Sequence, residues 1–302
     1  MQLNLYKTLV SYPHIQLLKQ KQIVMKKQIL KTVLAITVIA TTMALSSCQK
    51  EKNDSDVTTA NNQALADESY NDVHNIADEA ANTGAVSYKA DDANSLLAGC
   101  ANVTRDTVSM PHVTTVDFGS TGCTGADGKV RKGKIIVTYD GKYRDAGTTI
   151  TITFDGYSVN GNQISGTKTI HNDGLNGNGN LSFSINVNGQ VVLASGAGTI
   201  TWTSTRTREW IAGESTESRD DDQYSITGSA MATSTDGKQF TATIQEALIR
   251  NLAPSCRRHF VKGVVLLQRT GRPDRTIDFG NGACDDQAVV TINGVSHTIT
   301  LH

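Results

Sequence analysis

Leu181-Ser182-Phe183-Ser184-Ile185-Asn186-Val187-Asn188-Gly189 decides the fold. Its apolar residues recur at every second position, with small polar residues between them. A helix would repeat its apolar positions every three or four residues. A period of two is a pleated strand with one buried and one wet face. The terminal Asn188-Gly189 reads as a hairpin turn, because both residue types tolerate positive φ. The same alternation recurs outward from this stretch. Ile150, Ile152 and Phe154 oppose Thr149, Thr151 and Thr153, and Phe240, Ala242 and Ile244 oppose Thr241 and Thr243. Val264 to Leu267 is apolar at both parities. Asp140-Gly141, Asn160-Gly161, Asp236-Gly237 and Asn293-Gly294 supply further turn signals. Aromatics make up 5 % of the 302 residues, with 26 Gly and 4 Pro, which suits short strands and tight turns. The expected fold is all-β over residues 85–302: a large antiparallel meander of about ten to twelve strands. A sandwich and a curled or closed sheet both satisfy the pattern.

One segment departs from period two. Ala66, Tyr70, Val73, Ala77 and Ala80 fall at spacings of three and four, with Ile76 beside them, and predict a helix over 63–84 ending at Gly84. The stripe is narrow and rich in Ala, fit to pack on the sheet. Asp67, Glu68 and Asp72 read as acids near the helix start, where the dipole favours them.

An internal repeat brackets the meander. Thr115-Val116-Asp117-Phe118-Gly119 leads to Cys123, and Thr276-Ile277-Asp278-Phe279-Gly280 leads to Cys284, at equal spacing. Each copy has an upstream cysteine, Cys100 or Cys256. Two related β units are therefore expected, near 100–141 and 256–294. The pairing that follows the repeat is Cys100–Cys123 and Cys256–Cys284. Its rival joins Cys100 to Cys256 and Cys123 to Cys284.

The fifth cysteine belongs to a different signal. Met25-Lys26-Lys27 opens a mostly apolar run that ends in Ala44-Leu45-Ser46-Ser47-Cys48. This stretch resembles a bacterial lipobox, in which the cysteine is lipidated and becomes the mature N-terminus. The resemblance implies a signal peptide over 25–47, an over-extended start over 1–24, lipidated Cys48, and a flexible tether over 48–62. Gln49 lacks the Asp that enteric bacteria use for inner-membrane retention, which points to the outer membrane. The following Lys50-Glu51-Lys52-Asn53-Asp54-Ser55-Asp56 partly resembles the surface-export signal of Bacteroidota lipoproteins. The whole mature chain is similar to the uncharacterised β-rich lipoproteins of that group. Such a protein partners the membrane through its acyl chains, at about 0.8 kcal/mol per buried CH₂, and faces the periplasm or the cell surface. An oxidising compartment also suits four paired cysteines.

Charge narrows the remaining options. Six lysines and no acids precede Cys48, so the mature chain has 22 basic and 29 acidic residues, a net charge of −7. That balance argues against a nucleic-acid partner, whose backbone demands Lys and Arg.

Several motifs resolve to structure. Gly128 to Ile135 approaches a phosphate-binding loop, but Ile135 replaces the Mg²⁺-binding hydroxyl and a strand follows. The basic cluster there reads as a solvated loop and strand start. The two Asp-Phe-Gly triplets lack every other kinase motif; Asp and Gly shape a turn and Phe fills the core. Asn172 to Asn180 holds one carboxylate, too few for calcium, and reads as a hairpin loop. Asp220-Asp221-Asp222 reads as a solvated loop. Asp106-Thr107-Val108 fits a glycosylated triplet of some Bacteroidota envelope proteins. His112, His171, His259, His297 and His302 are too scattered for a triad or metal set.

The best candidate surface is the parity Ile200, Trp202, Ser204, Arg206, Arg208, Trp210, opposite five threonines. Trp202, Arg206, Arg208 and Trp210 on one face suit a sugar or an anion. The plainer reading puts Trp202 in the core and the Arg end in solvent. The expectation is a non-enzymatic envelope lipoprotein with no catalytic residues, metal or cofactor, which binds or scaffolds an unknown envelope ligand or protein. A lipid carrier using the β interior and a glycan-acting enzyme with paired carboxylates are the alternatives.

Overall fold

A computed structural model describes residues 54–82, 95–97, 101–216 and 218–301. The signal segment, Cys48, Cys100 and His302 lie outside the described residues, and Asp54–His302 forms one unit by its internal contacts. The chain enters as helix α1 (Thr58–Asn82). Fourteen strands follow among the described residues. They are β1 (Asn102–Asp106), β2 (His112–Asp117), β3 (Cys123–Thr124), β4 (Val130–Tyr139), β5 (Thr149–Val159), β6 (Asn162–Leu175) and β7 (Leu181–Val192). The remainder are β8 (Thr199–Ala212), β9 (Gln223–Thr233), β10 (Gln239–Asn251), β11 (Phe260–Gln268), β12 (Arg275–Asn281), β13 (Gln287–Ile292) and β14 (Val295–Thr300). All pair antiparallel in chain order within one sheet, except that the two-residue β3 pairs beside β4. β1 and β14 end the sheet and do not pair, so it is open rather than a closed barrel. No helix among the described residues is long and apolar enough to cross a membrane.

The period-two reading holds along β7, where Leu181, Phe183, Ile185 and Val187 are all buried. Asn160-Gly161 and Asn293-Gly294 form tight turns with positive φ at both residues. Asn188-Gly189 does not turn; it lies inside β7, opposite Thr167 and Gly166 of β6. The reason is packing. The Tyr70 hydroxyl of α1 donates to Ser165 O at 2.9 Å, and a Cβ on Gly189 would lie 1.9 Å from that hydroxyl. Glycine here makes a slot for a tyrosine.

The helix begins at Thr58, five residues earlier than its apolar stripe indicates, within the stretch read as a tether. Asp56 accepts from Thr58 N at 3.0 Å, which caps the first turn. Asp54 is gripped by Arg272 and Arg275, each at 2.9 Å, so residues 54–57 are docked rather than free. The expected stripe is buried, and so is most of the rest of the circumference: Gln63, Asp67, Glu68, Asp72 and Glu79 are all under 9 % exposed. The sheet curls round the helix, with side chains from β1, β4, β6 and β8 all reaching it.

The two repeats fold alike. Asp117 and Asp278 each accept from the glycine two residues on, at 2.8 Å. Phe118 and Phe279 are buried against Tyr157 and Phe260. Cys256 is bonded to Cys284, which removes the cross-repeat pairing. Cys123 is also disulfide-bonded, to a partner outside the described residues.

Gly189→Ala should destabilise the protein by about 1–3 kcal/mol through overpacking, read from urea unfolding. On a Tyr70→Leu background the same change should cost less, though not nothing, since Ser165 O also crowds the site. Equal costs on both backgrounds would contradict the slot.

Candidate functional site

The interior is lined with cations that meet the acids of α1. Arg131 of β4 is fully buried and holds Asp72 through two bonds, Nε to Oδ2 at 3.1 Å and Nη2 to Oδ1 at 2.6 Å. It also holds Asp127, at 2.9 and 2.6 Å. Burial pulls this guanidinium down, but the two carboxylates outweigh it and hold it above its ordinary value. Lys129 meets Glu68 at 2.7 Å. The supposed solvated basic cluster is therefore half internal, because strand alternation turns Lys129 and Arg131 inward and Lys132 outward. Lys168 of β6 donates to Tyr70 O at 2.9 Å; burial first, then Arg208, Arg206 and Arg250, push its amine well below the usual range.

The expected binding face sits in this interior. Trp202, Arg206, Arg208 and Trp210 are all at most 6 % exposed, so they form no surface, and the Arg end of β8 does not emerge to solvent. Arg206 Nη2 lies 2.8 Å from Asp67 Oδ1, as a charge contact without an aligned hydrogen bond. Burial raises the Asp67 carboxyl despite this cation. Arg208 lies between the rings of Tyr143, Phe183 and Tyr224, at 5.6, 5.2 and 4.6 Å, and donates to the Tyr143 hydroxyl. The β8 parity and the core placement of Trp202 agree with the sequence reading, and only the Arg end departs from it. The cue it lacked is the acidic helix, whose charges need partners inside the sheet.

Trp210 alone of the four reaches open space. A cavity of about 510 Å³ lies at the C-terminal end of α1. Its helix wall is His74, Ala77, Asp78 and Ala81. Its sheet wall includes Val137, Ile150, Ile152 and Ile170 from β4, β5 and β6. Tyr139, Tyr143, Trp210 and Tyr224 add aromatic surface, and Tyr143 stacks on Phe183 at 4.6 Å. The rim carries Arg105, Lys142, Arg144 and Arg219 against two acids, Asp78 and Asp222. Arg219 pairs with Asp78 at 3.3 Å, and Arg105 donates to Ala80 O on the last turn of α1. The Arg144 guanidinium lies over Trp210, 4.5 Å from its centroid, and donates to Glu214 O and Thr216 O.

Two wall residues have unusual polar settings. His74 Nδ1 is buried and has no hydrogen-bond partner among the described residues. Burial and the cations Arg208 and Lys168 push the His74 ring well below its ordinary value, so it is neutral. Asp222 is buried rather than solvated, accepting from Trp210 Nε1 at 3.1 Å and Tyr224 OH at 3.3 Å. Burial and the nearby Asp78 charge raise its carboxyl to about 6.

The remaining sequence candidates stay structural. The Asn172–Asn180 stretch spans the end of β6 and its hairpin loop, and among the described residues no group of three or more His, Cys, Asp or Glu is placed to hold a metal ion. His112 and His171 lie on different strands, and His259 faces Glu68 at 3.8 Å. Linear reading missed His74, Asp78, Tyr143 and Arg144, because α1, the sheet and the 140–148 loop meet only after folding. Compared with models of known protein families, with curated proteins and with solved structures, the chain matches none.

A carboxyl whose folded pKa is raised binds its proton more tightly when folded, so it favours folding at low pH and loses that contribution as pH rises. Between about pH 4 and pH 6, the native protein should lose stability relative to Asp222→Asn, read from urea midpoints. Parallel pH profiles would show that Asp222 does not carry this shift.

Proposed function

We propose that this chain is a lipid-anchored, non-enzymatic binding protein of the bacterial outer membrane that holds one small molecule in the cavity beside His74 and Trp210. The cavity carries the binding half of this reading. Its volume falls within the range of about 300–1,000 Å³ usual for small-molecule sites, and it joins an apolar wall to charged and aromatic groups. The lipobox residues Leu45 to Cys48 and the acidic mature chain support the anchor half. On an anchored chain, the tether enters at the Asp54 end of α1, the end opposite the cavity. The interior that a lipid carrier would need for its cargo is occupied by α1 and its ion pairs, which favours a localised site over bulk carriage. A glycan-acting enzyme is the second reading. It draws on one observation, that Asp78 and the proton-retaining Asp222 share this aromatic cavity.

Mass spectrometry of the full-length gene product purified from membranes tests both halves. The denatured mass should fit a chain starting at acylated Cys48, and the native mass should include a bound small molecule. Ala81→Trp, at an exposed helix position on the cavity wall, should lose that molecule while remaining folded. A mass beginning at Met25 would remove the anchor. An empty native protein, or an equal load in both proteins, would remove the site.

A further inference from the structure

The cavity's charge and its apolar floor lie in different places, and that division identifies a ligand class. At the floor, Ile150, Ile152 and Ile170 present aliphatic surface from adjacent strands, with Ala77 of α1 opposite. At the rim, four cationic side chains face two acids. This excess runs against the chain, whose mature part carries a net charge of −7. The two acids are already engaged, Asp78 by Arg219 and Asp222 by Trp210 and Tyr224. The cations are less so. Lys142 is exposed in the loop after β4, and no ion pair or side-chain hydrogen bond engages its ammonium among the described residues. Arg144 gives two of its five N–H donors to carbonyls, which hold it over Trp210 and leave the other donors available. A guanidinium held by two carbonyls in this way is ordered before any ligand arrives, which lowers the entropic cost of binding.

We propose that this cavity binds a small amphiphile with one anionic head, its body against Ile150, Ile152 and Ile170 and its head between Lys142 and Arg144. The inference rests on the binding reading above and adds the chemistry of the ligand. A neutral apolar guest would leave the rim cations solvated and gain only from the floor. A polyanion would need cations beyond Lys142 and Arg144, and Arg105 and Arg219 are held by α1. A head with a single charge and an apolar body satisfies both zones.

The test titrates the full chain, held in a lipid nanodisc, with two probes that share one ring system: anionic 8-anilinonaphthalene-1-sulfonate and uncharged N-phenyl-1-naphthylamine. Ala81→Trp in the same nanodisc supplies the background from lipid. After subtraction, the anionic probe should bind saturably and at least about tenfold more tightly than the neutral one, a difference of about 1.4 kcal/mol. Lys142→Glu lies on an exposed loop and should weaken the anionic probe about tenfold while moving the neutral probe less than about twofold. Equal affinity for the two probes, or an unchanged anionic affinity in Lys142→Glu, would overturn the anionic head and leave the binding site standing. Absence of saturable binding by either probe would overturn the site as well.

Discussion

Arg131, gripped by Asp72 on one side and Asp127 on the other, is the contact that the rest of the fold depends on. A carboxylate taken out of water without a partner costs several kcal/mol. Four acids of α1 are buried, Asp67, Glu68, Asp72 and Glu79. The sheet answers with inward cations: Arg206 to Asp67, Lys129 to Glu68, Arg131 to Asp72. Glu79 accepts from Ser95 and from Leu96 N and also lies 3.6 Å from Arg219. Replacing such pairs by apolar residues often costs nothing, so they are not a source of net stability. Their effect is positional. Each acid meets its own strand or loop, which sets the depth and rotation of the helix within the sheet.

The cavity follows from that placement. The N-terminal end of α1 is tied down by Arg272 and Arg275 through Asp54, and its middle by Arg131. Towards its C-terminal end, contacts to β1 and to the 218–222 loop replace contacts to the middle strands. There the sheet continues but the helix presents Ala77 and Ala81 beside His74 and Asp78, and space remains. The small residues that read as a weak apolar stripe are, at this end, what leaves room for a guest.

Much of the sheet was legible because one-sided alternation is a local property. Leu181 to Val187 needs no tertiary information to be a strand, and Asn160-Gly161 none to be a turn. The errors share one physical origin. Asn188-Gly189 is a turn signal overridden by a tyrosine more than a hundred residues away in the chain. The Arg end of β8 reads as solvent-facing because guanidinium groups ordinarily seek water, and here Arg206 meets a carboxylate of α1 and Arg208 a cluster of aromatic rings. The acids at 67, 68 and 72 were read as dipole partners near a helix start, although α1 begins at Thr58 and places them in its middle. Both halves of the ion-pair system were visible, an acidic helix and inward Arg and Lys positions. Neither was interpretable alone, because strand parity does not say which face is inside when both carry polar groups. Two-residue β3 and short edge strands such as β1 fall below what periodicity resolves, hence fourteen strands against ten to twelve. The cavity was least legible: Ala77 belongs to a helix stripe, Ile150 and Ile152 to a strand and Trp210 to the β8 parity, and no local pattern joins these separate stretches.

The most direct measurement is a double-mutant cycle on Asp72→Leu and Arg131→Met by urea unfolding. If buried charge matching positions the helix, each single change should cost about 3–5 kcal/mol. The double variant should then cost no more than Arg131→Met alone, because Asp72 is no longer stranded and only Asp127 is left without its cation. Additive losses would mean that the two side chains act independently, and that something other than this pair holds α1 within the sheet.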